Sequence, residues 1–316
     1  RLRLRLQPQR SHRHMKITQL SVIAVCLMIA QISFTAETIP FDLSLTDSIK
    51  VMSFNIRYNN PSDGDYAWPN RKAMVVSMVN FHGADVIGMQ EVLRGQLIEL
   101  ETLLPDYAWY GVGRNNGRID GENTGEFAPI FYRQDRFQFL DSGEFWLSET
   151  PDVIASRGWD AALPRIATWA KLKDRQSGQD FIHINTHFDH RGDVARVRSA
   201  QLILDKLAIL SDGLPMVVTG DFNVTPDSDA YATMTSALAD TKFESESLPH
   251  GPDGTFGGFT VELGETTKRI DYVFVGDGIK VLRYGVLSDQ WNGLYPSDHL
   301  PVLAEIQLQG VRALGQ

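Results

Sequence analysis

Short apolar runs recur along the chain and are separated either by polar turns or by longer segments with helical spacing. Continuous or alternating apolar residues predict β-strands, whereas apolar residues on one face of a helical repeat predict helices. The predicted helices are 71–81, 94–104 and 193–210, the last with Asp193 as its N-cap. The predicted strands are 49–56, 85–89, 129–133, 137–140, 165–172, 181–185, 215–219, 270–275, 279–287 and 301–308.

The order of these elements predicts an α/β fold. Some successive strands are separated by a helix and others only by short turns, so the sheets should contain both parallel and antiparallel neighbours. We therefore expect a layered sandwich of mixed β-sheets covered by helices, and not a barrel of repeated strand–helix units. Two glycine-rich stretches, 111–125 and 250–258, are the long loops, and such loops usually flank a site in a compact domain.

The N-terminal segment differs from the rest of the chain. Residues 1–14 are rich in Arg and Leu and are interpreted as an upstream extension, and a short apolar run follows at 20–32. The pattern predicts a secretory signal peptide over 15–36, followed by a single domain over 37–316. An uncleaved N-terminal anchor is the alternative, although the apolar run is short for a membrane span. We expect export to the periplasm or the medium of a bacterium.

Charge and cysteine content change once this segment is set aside. The first 36 residues contain six basic and no acidic residues, so the remaining chain has 24 basic and 39 acidic residues and a formal net charge of −15. It also has no cysteine, because Cys26 is the sole one in the chain. Such a domain depends on its core and not on disulfides. Its charge opposes non-specific attraction to long nucleic acid.

Polar and ionisable residues stand at the ends of the predicted strands. A turn would explain any one of them alone. If the last strands run antiparallel to the first, all of them meet at one edge of the sheets, where ligands bind in α/β folds. The residues are Asn55, Glu91, His187, Asp221 and Asn223 after strands, and Asp271, Asp298 and His299 before strands.

This set of side chains suits metal-assisted hydrolysis of a phosphoester. A hard cation such as Mg²⁺ binds one or two carboxylates and keeps several waters, and Mn²⁺ or Ca²⁺ could take its place. Hydrolysis also needs one group that takes a proton from the attacking water and another that protonates the leaving oxygen. Two histidines held by carboxylates are suited to that task.

Four motifs resemble those of the endonuclease/exonuclease/phosphatase superfamily and occur in its order. They are Phe54-Asn55-Ile56-Arg57, Met89-Gln90-Glu91-Val92, Gly220-Asp221-Phe222-Asn223 and Ser297-Asp298-His299-Leu300-Pro301-Val302. Together they span nearly all of the chain after the predicted signal peptide. The pattern is most similar to deoxyribonuclease I, and secreted bacterial members are also similar. The resemblance implies a four-layer α/β sandwich of two mixed β-sheets flanked by helices.

The resemblance also implies roles for the residues that would bind metal and activate water. Glu91 would hold the Mg²⁺, with Asn55 and Asp298 as direct or water-mediated ligands. His299, oriented by Asp271, would take the proton from the attacking water. These roles make the predicted edge of the sheets a catalytic centre.

A second set of implied roles concerns the phosphate and the leaving oxygen. His187 would protonate the leaving oxygen, with Glu126 as its orienting partner, because the segment that begins at Glu126 resembles the family segment that supplies a carboxylate there. Arg165 would bind the phosphate. Asp221 and Asn223 would orient the attacking water and the phosphate.

Two departures from deoxyribonuclease I bear on the substrate. Leu93 stands where that enzyme has a minor-groove arginine, and Thr124 stands where it has a groove-binding tyrosine. Minor-groove readers need cationic or wedge-shaped side chains, so we expect phosphodiester cleavage in single-stranded or small nucleic acids and not in duplex DNA. The alternatives are a phosphorylated sugar or lipid head group as substrate, and a binding module without chemistry. We expect a monomer.

Several residues have a structural alternative to a functional role. His183 is the first of three closely spaced histidines, which could suggest zinc, but the segment alternates like a strand and favours a structural role for His183. His190 either lines the pocket or lies in an exposed turn. Trp68, Phe256 and Phe259 could stack on a base or a sugar, but packing in the core or under a loop is favoured.

Overall fold

The computed structural model describes residues 47–260 and 268–309. The predicted extension 1–14 and signal peptide 15–36 lie outside the described residues. The strands are β1 (Ile49–Asn55), β2 (Val86–Gln90), β3 (Tyr107–Tyr110), β4 (Ile130–Arg133), β5 (Phe137–Trp146), β6 (Ile166–Asp174), β7 (Asp180–His187), β8 (Met216–Asp221), β9 (Ala239–Asp240), β10 (Asp271–Val275), β11 (Ile279–Val286) and β12 (Val302–Leu308). The helices are α1 (Trp68–His82), α2 (Arg94–Leu103), α3 (Asp193–Leu210), α4 (Asp229–Thr235) and α5 (Thr241–Glu244), and a 3₁₀ helix (Pro61–Tyr66) precedes α1.

The strands form two sheets of six strands each. The first sheet has the order β11-β12-β1-β2-β4-β3, and the second has the order β5-β6-β7-β8-β10-β9. In each sheet the central neighbours are parallel, β1 with β2 and β7 with β8. The other described pairs are antiparallel. Both sheets are therefore mixed, as the sequence predicts.

Three buried apolar clusters define the layers. One lies between the sheets and contains residues of both, such as Val51 of β1 and Phe181 of β7. A second joins the outer face of the first sheet to α1 and α2, and a third joins the second sheet to α3 and α4. The resulting order of helices, sheet, sheet and helices confirms the four-layer sandwich.

Strand β1 shows how the sequence produces this arrangement. Successive side chains of a strand point to opposite faces, so Val51 joins the cluster between the sheets while Met52 and Phe54 join the cluster under the helices. Because both faces are covered, β1 is apolar at most positions and does not alternate with polar residues. Its last residue, Asn55, is polar and fully buried. The buried strand β1 thus places the Asn55 side-chain amide at the edge of the sheet.

The N-terminus of α3 differs from the prediction. Asp193 is the first residue of α3, and the N-cap is Gly192, which has no capping side chain. The carboxylate of Asp160 accepts the N–H groups of Val194 and Ala195 instead. A Cβ at Gly192 would lie 2.6 Å from Asp160 Oδ1. The prediction of Asp193 as N-cap was wrong because the capping carboxylate comes from a residue that is distant in the chain.

The elements that the sequence pattern missed are short. β3 and α5 have four residues each, β9 has two and α4 has seven. Runs of this length contain too few positions to show an apolar period. None of the helices in the described ranges is both long enough and apolar enough to cross a membrane.

Candidate active site

The polar strand ends meet at one edge of the two sheets. β12 is antiparallel to β1 and β10 is antiparallel to β8, so the residues before β12 and β10 lie beside those after β1 and β8. In the second sheet Asp221 is paired with both His187 and Asp271. In the first sheet Asn55 is paired with Gln90. The antiparallel direction of the late strands is what brings the two sets of polar residues together.

Asp221 lies at the centre of this edge and is almost fully buried. Its Oδ2 accepts a hydrogen bond of 2.9 Å from Asn55 Nδ2 and lies 3.4 Å from His187 Nε2 and 3.7 Å from His299 Nε2. Burial, with the nearby Asp271 carboxylate, raises the pKa of Asp221 to about 7. One carboxylate oxygen thus connects two halves of the site, each built around a histidine.

His299 forms the first half together with Asp271. Its Nδ1 lies 2.9 Å from Asp271 Oδ2, and its other ring nitrogen faces Asp221. Although burial disfavours the charged form, the carboxylates of Asp271 and Asp221 raise the pKa of His299 to about 10. The ring therefore carries a proton at neutral pH in this arrangement. Its predicted role as a base requires that part of the surrounding negative charge be neutralised.

Glu91 stands directly after β2 with a φ of +60°. Its Oε1 accepts a hydrogen bond of 3.2 Å from Asn55 Nδ2, and its Oε2 accepts one of 3.1 Å from the main-chain N–H of Tyr58. Asn55 presents its amide nitrogen because its Oδ1 accepts the N–H of Arg57 at 3.0 Å. Asn55 therefore orients Glu91 and Asp221. Its role as a direct or water-mediated metal ligand stays a prediction.

The carboxylates of Glu91 and Asp298 fit a divalent cation. Arg57 Nη1 lies 3.9 Å from Glu91 Oε2 and 3.8 Å from Asp298 Oδ2, so the two carboxylates flank the same position. Burial raises the pKa of Asp298, and the charge of Glu91 adds to the shift. Carboxylate oxygens are donors that suit Mg²⁺ or Mn²⁺. Glu91 and Asp298 would hold the ion, and a bound cation polarises a phosphate oxygen.

Two other groups of side chains have ligand atoms close enough together to bind one metal ion. One ligand atom each of Glu91, His187 and Asp221 lie within 4.8 Å of one another, and the same is true of Asp221, Asp271 and His299. The latter group already contains the hydrogen bond between His299 and Asp271. Glu91 belongs to both remaining possibilities, so it is the side chain whose removal tests metal binding most directly.

His187 forms the second half of the site, but its predicted partner is bound elsewhere. Glu126 Oε2 lies 3.7 Å from His187 Nδ1, too far for a hydrogen bond, and that nitrogen has no partner among the described residues. Both oxygens of Glu126 accept hydrogen bonds from Arg114, at 2.7 and 2.9 Å. A guanidinium matches a carboxylate with two bonds, so Arg114 holds Glu126 in place of His187.

The same arginines set the charge of His187. Burial lowers the pKa of His187 well below its ordinary value, and the charges of Arg165 and Arg114 add to the shift. Burial raises the pKa of Glu126, although Arg114 opposes that change. His187 is therefore neutral at neutral pH in this arrangement. The protonation of the leaving oxygen by His187 stays a prediction.

Arg165 lies next to His187 and is 4% exposed. Its Nε lies 3.4 Å from Asp189 Oδ2 and its Nη2 lies 3.0 Å from His190 Nδ1. Its Nη1 has no partner within the part of the chain that the structure describes. Arg165, Arg114 and His187 line the same small recess. An unpaired guanidinium N–H on a residue that lines this recess suits the phosphate-binding role that the resemblance implies. His190, which contacts Arg165, is exposed.

Asn223 has the fewest links to the other predicted residues. Its φ is +52°, a conformation that Asn tolerates better than most residues. Its main-chain N–H donates to Asp221 Oδ1 at 3.0 Å, and its side-chain Nδ2 donates to the carbonyl of Phe188 at 3.1 Å. Asn223 thus fixes the turn after β8. Its action on water or phosphate stays a prediction.

The structure decides between the alternatives for His183 and Trp68. His183 is fully buried and its Nε2 lies 2.8 Å from Thr219 Oγ1, which gives it a structural role. Trp68 is 2% exposed and belongs to the core under α1. Phe256 differs from both, because it is 37% exposed and its ring lies beside His299.

Two arginines that the sequence pattern did not single out organise the site. Arg114 holds Glu126, and its place in a glycine-rich loop shortly before Glu126 was the available signal. Arg71, 1% exposed, ties the loops on the Glu91 side together. It donates to the main-chain carbonyls of Ile56, Arg57, Tyr58, Tyr66 and Pro296. Its position in a helical repeat does not distinguish it from a surface arginine.

Comparison with known families shows which family the chain belongs to. Residues 52–299 match the model of the Endonuclease/Exonuclease/phosphatase family. The chain belongs to this family. The match begins within β1 and ends at His299, so it contains both halves of the site. The family's description covers endonucleases, exonucleases and phosphatases, all of which hydrolyse phosphoester bonds.

Solved structures of the family resemble the chain closely. A family member from Bacteroides vulgatus is 42% identical, with a TM-score of 0.79, over 83% of this chain and 99% of that chain. A mannosyl-6-phosphatase of Bacteroides thetaiotaomicron is 39% identical, with a TM-score of 0.76, over 82% of this chain and 99% of that chain. Nocturnin of Drosophila melanogaster is 25% identical over 76% of this chain and 42% of that protein. The chain spans less than half the length of the first relatives matched by sequence.

Proposed function

We propose that the protein is a metal-dependent phosphatase that removes the phosphate group from a phosphorylated sugar. The observation that carries this proposal is the 39% identity to a mannosyl-6-phosphatase over 82% of this chain and 99% of that chain. It is supported by a site in which Asp221 Oδ2 lies 3.4 Å from His187 Nε2 and 3.7 Å from His299 Nε2, while Arg165 and His187 line the same recess. A phosphorylated sugar was an alternative substrate in the sequence analysis. The similarity to the mannosyl-6-phosphatase makes it the substrate that we propose first.

In the proposed reaction a water attacks the phosphorus, and the bond between phosphorus and the sugar oxygen breaks. His299 already carries a proton in this arrangement, so the carboxylate of Asp221, 3.7 Å from the His299 ring nitrogen, would accept the proton of the water. Arg165 would bind a phosphate oxygen through its unpaired N–H. His187 would give a proton to the leaving oxygen and regain one from Asp221, whose Oδ2 lies 3.4 Å from His187 Nε2. Acid–base and charge-stabilising groups of this kind contribute about 2–4 kcal/mol each to the transition state.

Cleavage of single-stranded or small nucleic acids, which the sequence analysis placed first, is the second candidate. The observation that favours it is the exposed aromatic ring of Phe256 beside His299, since such rings stack on bases. Leu93 and Thr124 offer no cation to a minor groove, and they argue against duplex DNA in this case as well.

Phosphate release by the purified full chain separates these functions. We would compare mannose 6-phosphate, a single-stranded oligonucleotide and plasmid DNA, each with Mg²⁺, with Mn²⁺ or with chelator. The proposal expects metal-dependent release of phosphate from the sugar ester, a loss of at least roughly 100-fold in Asp221→Asn, and little change in the exposed control Asp205→Asn. Cleavage of the oligonucleotide without release from any sugar phosphate would establish the nuclease function instead.

We also propose that the chain is exported and acts as a monomer. The support for export is the apolar run 20–32 and the absence of cysteine from 37–316. N-terminal sequencing of the protein recovered from a bacterial periplasm would show cleavage near residue 36 if the signal peptide is read correctly. Light scattering of the recovered protein would give a dimer mass if the monomer is wrong.

A further inference from the structure

Phe256 is a large apolar residue placed in the open beside a catalytic group. Its ring centroid lies 4.9 Å from that of His299, with the ring planes inclined at 60°. Its exposed fraction, 37%, contrasts with the nearly complete burial of the aromatic residues in the core. Phe81, Phe139 and Phe243 are also exposed, and Phe256 differs from them because its ring lies beside His299 at the predicted site.

The main chain fixes Phe256 firmly in this position. Its N–H donates to the carbonyl of Lys268 at 3.0 Å, and Phe256 and His299 form an antiparallel bridge. The N–H groups of Gly257 and Gly258 both donate to the carbonyl of Asp298 at 3.1 Å. The segment that carries Asp298 and His299 therefore also positions the ring. Phe256 is thus built into the site and is not a side chain at the tip of a free loop.

The other aromatic residue of this loop is already occupied. Phe259 stacks on Tyr66 with ring centroids 4.4 Å apart and planes inclined at 22°, and the Arg71 guanidinium lies over it. Among the described residues, His299 is the aromatic partner of Phe256. One ring of the loop thus anchors it to the 3₁₀ helix, and the other has a face available to a ligand.

We propose that Phe256 forms a wall of the substrate site and binds the apolar face of a pyranose ring. The inference rests on the proposed function, in which the substrate is a phosphorylated sugar. One face of such a ring presents C–H groups, which pack on an aromatic ring, while its hydroxyls stay hydrated. Aromatic walls with a few polar anchors are typical of small-molecule sites. Arg165 and the metal side would bind the phosphate, and Phe256 would select the group attached to it.

The test compares Phe256→Ala and Phe256→Trp with the wild-type full chain. Mannose 6-phosphate presents a pyranose ring, glycerol phosphate presents none, and a nucleoside 5′-monophosphate presents a base. In Phe256→Ala we expect KM for mannose 6-phosphate to rise about tenfold with kcat within about threefold, and kinetic constants for glycerol phosphate to stay within about twofold. Phe256→Trp keeps an aromatic face and should keep a low KM. Phe81→Ala, an exposed phenylalanine of α1, is the matched control.

The outcomes separate this inference from the proposed function. Equal losses on mannose 6-phosphate and glycerol phosphate, or no loss on either, would overturn the role of Phe256 while the phosphatase function stands. A larger effect on the nucleotide than on the sugar would overturn the pyranose assignment. If the wild type hydrolyses neither monoester, the proposed function fails. The role of Phe256 can then still be tested by calorimetric measurement of mannose 6-phosphate binding. We expect about tenfold weaker binding in Phe256→Ala than in the wild type, and equal binding would refute the role.

Discussion

Gln90 Nε2 donates a hydrogen bond of 2.7 Å to Asn185 Oδ1 across the interface of the two sheets. Asn185 Oδ1 also accepts from Thr219 Oγ1, and its Nδ2 donates to the carbonyls of Met89 and Pro129. All of these groups are buried between the sheets, where each unmade bond would be costly. Asn185 lies two residues before His187, and Gln90 lies directly before Glu91. The network therefore fixes the spacing of the two halves.

Replacement of Asn185 by Leu should weaken both the fold and catalysis. The apolar side chain keeps most of the volume but leaves buried donors and acceptors without partners, which costs roughly 2–4 kcal/mol in the free energy of unfolding. We expect kcat to fall more than KM rises, because the two halves of the site lose their fixed spacing. Urea unfolding and steady-state kinetics measure these effects. The exposed Asn70→Leu should change neither, and a stable, fully active Asn185→Leu would refute the role.

Gly88 on β2 should tolerate no side chain, because it faces this same network. A Cβ there would lie 2.0 Å from Thr219 Oγ1 and 2.4 Å from Asn185 Oδ1. Gly88→Ala should therefore destabilise the fold by about 1–3 kcal/mol through overpacking. Gly95 in α2 has nothing within 4 Å of the added Cβ, so Gly95→Ala should leave stability unchanged or raise it slightly. Chemical denaturation of the two variants gives the comparison, and equal midpoints would contradict it.

Removal of the Glu91 carboxylate should abolish stabilisation by divalent metal. A cation that binds only the folded state raises the free energy of unfolding by RT ln(1 + [L]/Kd), where [L] is its free concentration, and the melting temperature rises accordingly. We expect Mg²⁺ or Mn²⁺ to raise the Tm of the wild type by several degrees and to leave the Tm of Glu91→Gln unchanged. Calorimetry with and without chelator makes the measurement. Glu101→Gln, a control on the exposed face of α2, should respond like the wild type; a full metal response in Glu91→Gln would show that the ion is held elsewhere.

The sequence predicted most of the fold because its strands are long apolar runs. β7 and β8 are buried on both faces, and their motifs at the C-terminal ends were readable without the structure. The edge strand β3 has four residues and was missed. The cap of α3 by Asp160 was also out of reach, because it depends on a contact between segments that no local pattern records.

For the site, the sequence predicted which residues gather but not how they are paired. His299 and Asp271 form the predicted hydrogen bond. Glu126 does not bond to His187, because the guanidinium of Arg114 binds both of its oxygens. Such pairing depends on side-chain positions in space, and residue spacing carries no information about it.

Arg114→Gln should therefore affect the half of the site that contains His187. Loss of the guanidinium leaves the buried Glu126 carboxylate without its counter-charge, and breaking a buried ion pair costs about 3 kcal/mol or more. We expect a lower free energy of unfolding and a fall in kcat of about tenfold or more. The double variant Arg114→Leu with Glu126→Leu removes both charges and should recover stability without recovering kcat. If the double variant recovers both stability and kcat, Arg114 has only a structural role.

His183 should make stability fall in acid. Burial lowers the pKa of His183 to about 3 in the folded state, while an unfolded histidine titrates near 6.5. Above pH 6.5 both states are neutral and the residue adds no pH dependence; below it the unfolded state gains a proton that the folded state cannot bind. Stability from this residue therefore declines by up to roughly 1.4 kcal/mol per pH unit as pH falls from 6.5 toward 3. His183→Gln should flatten urea-unfolding stability against pH in that window and match the wild-type slope above pH 7; an unchanged slope below pH 6.5 would show that other groups control acid unfolding.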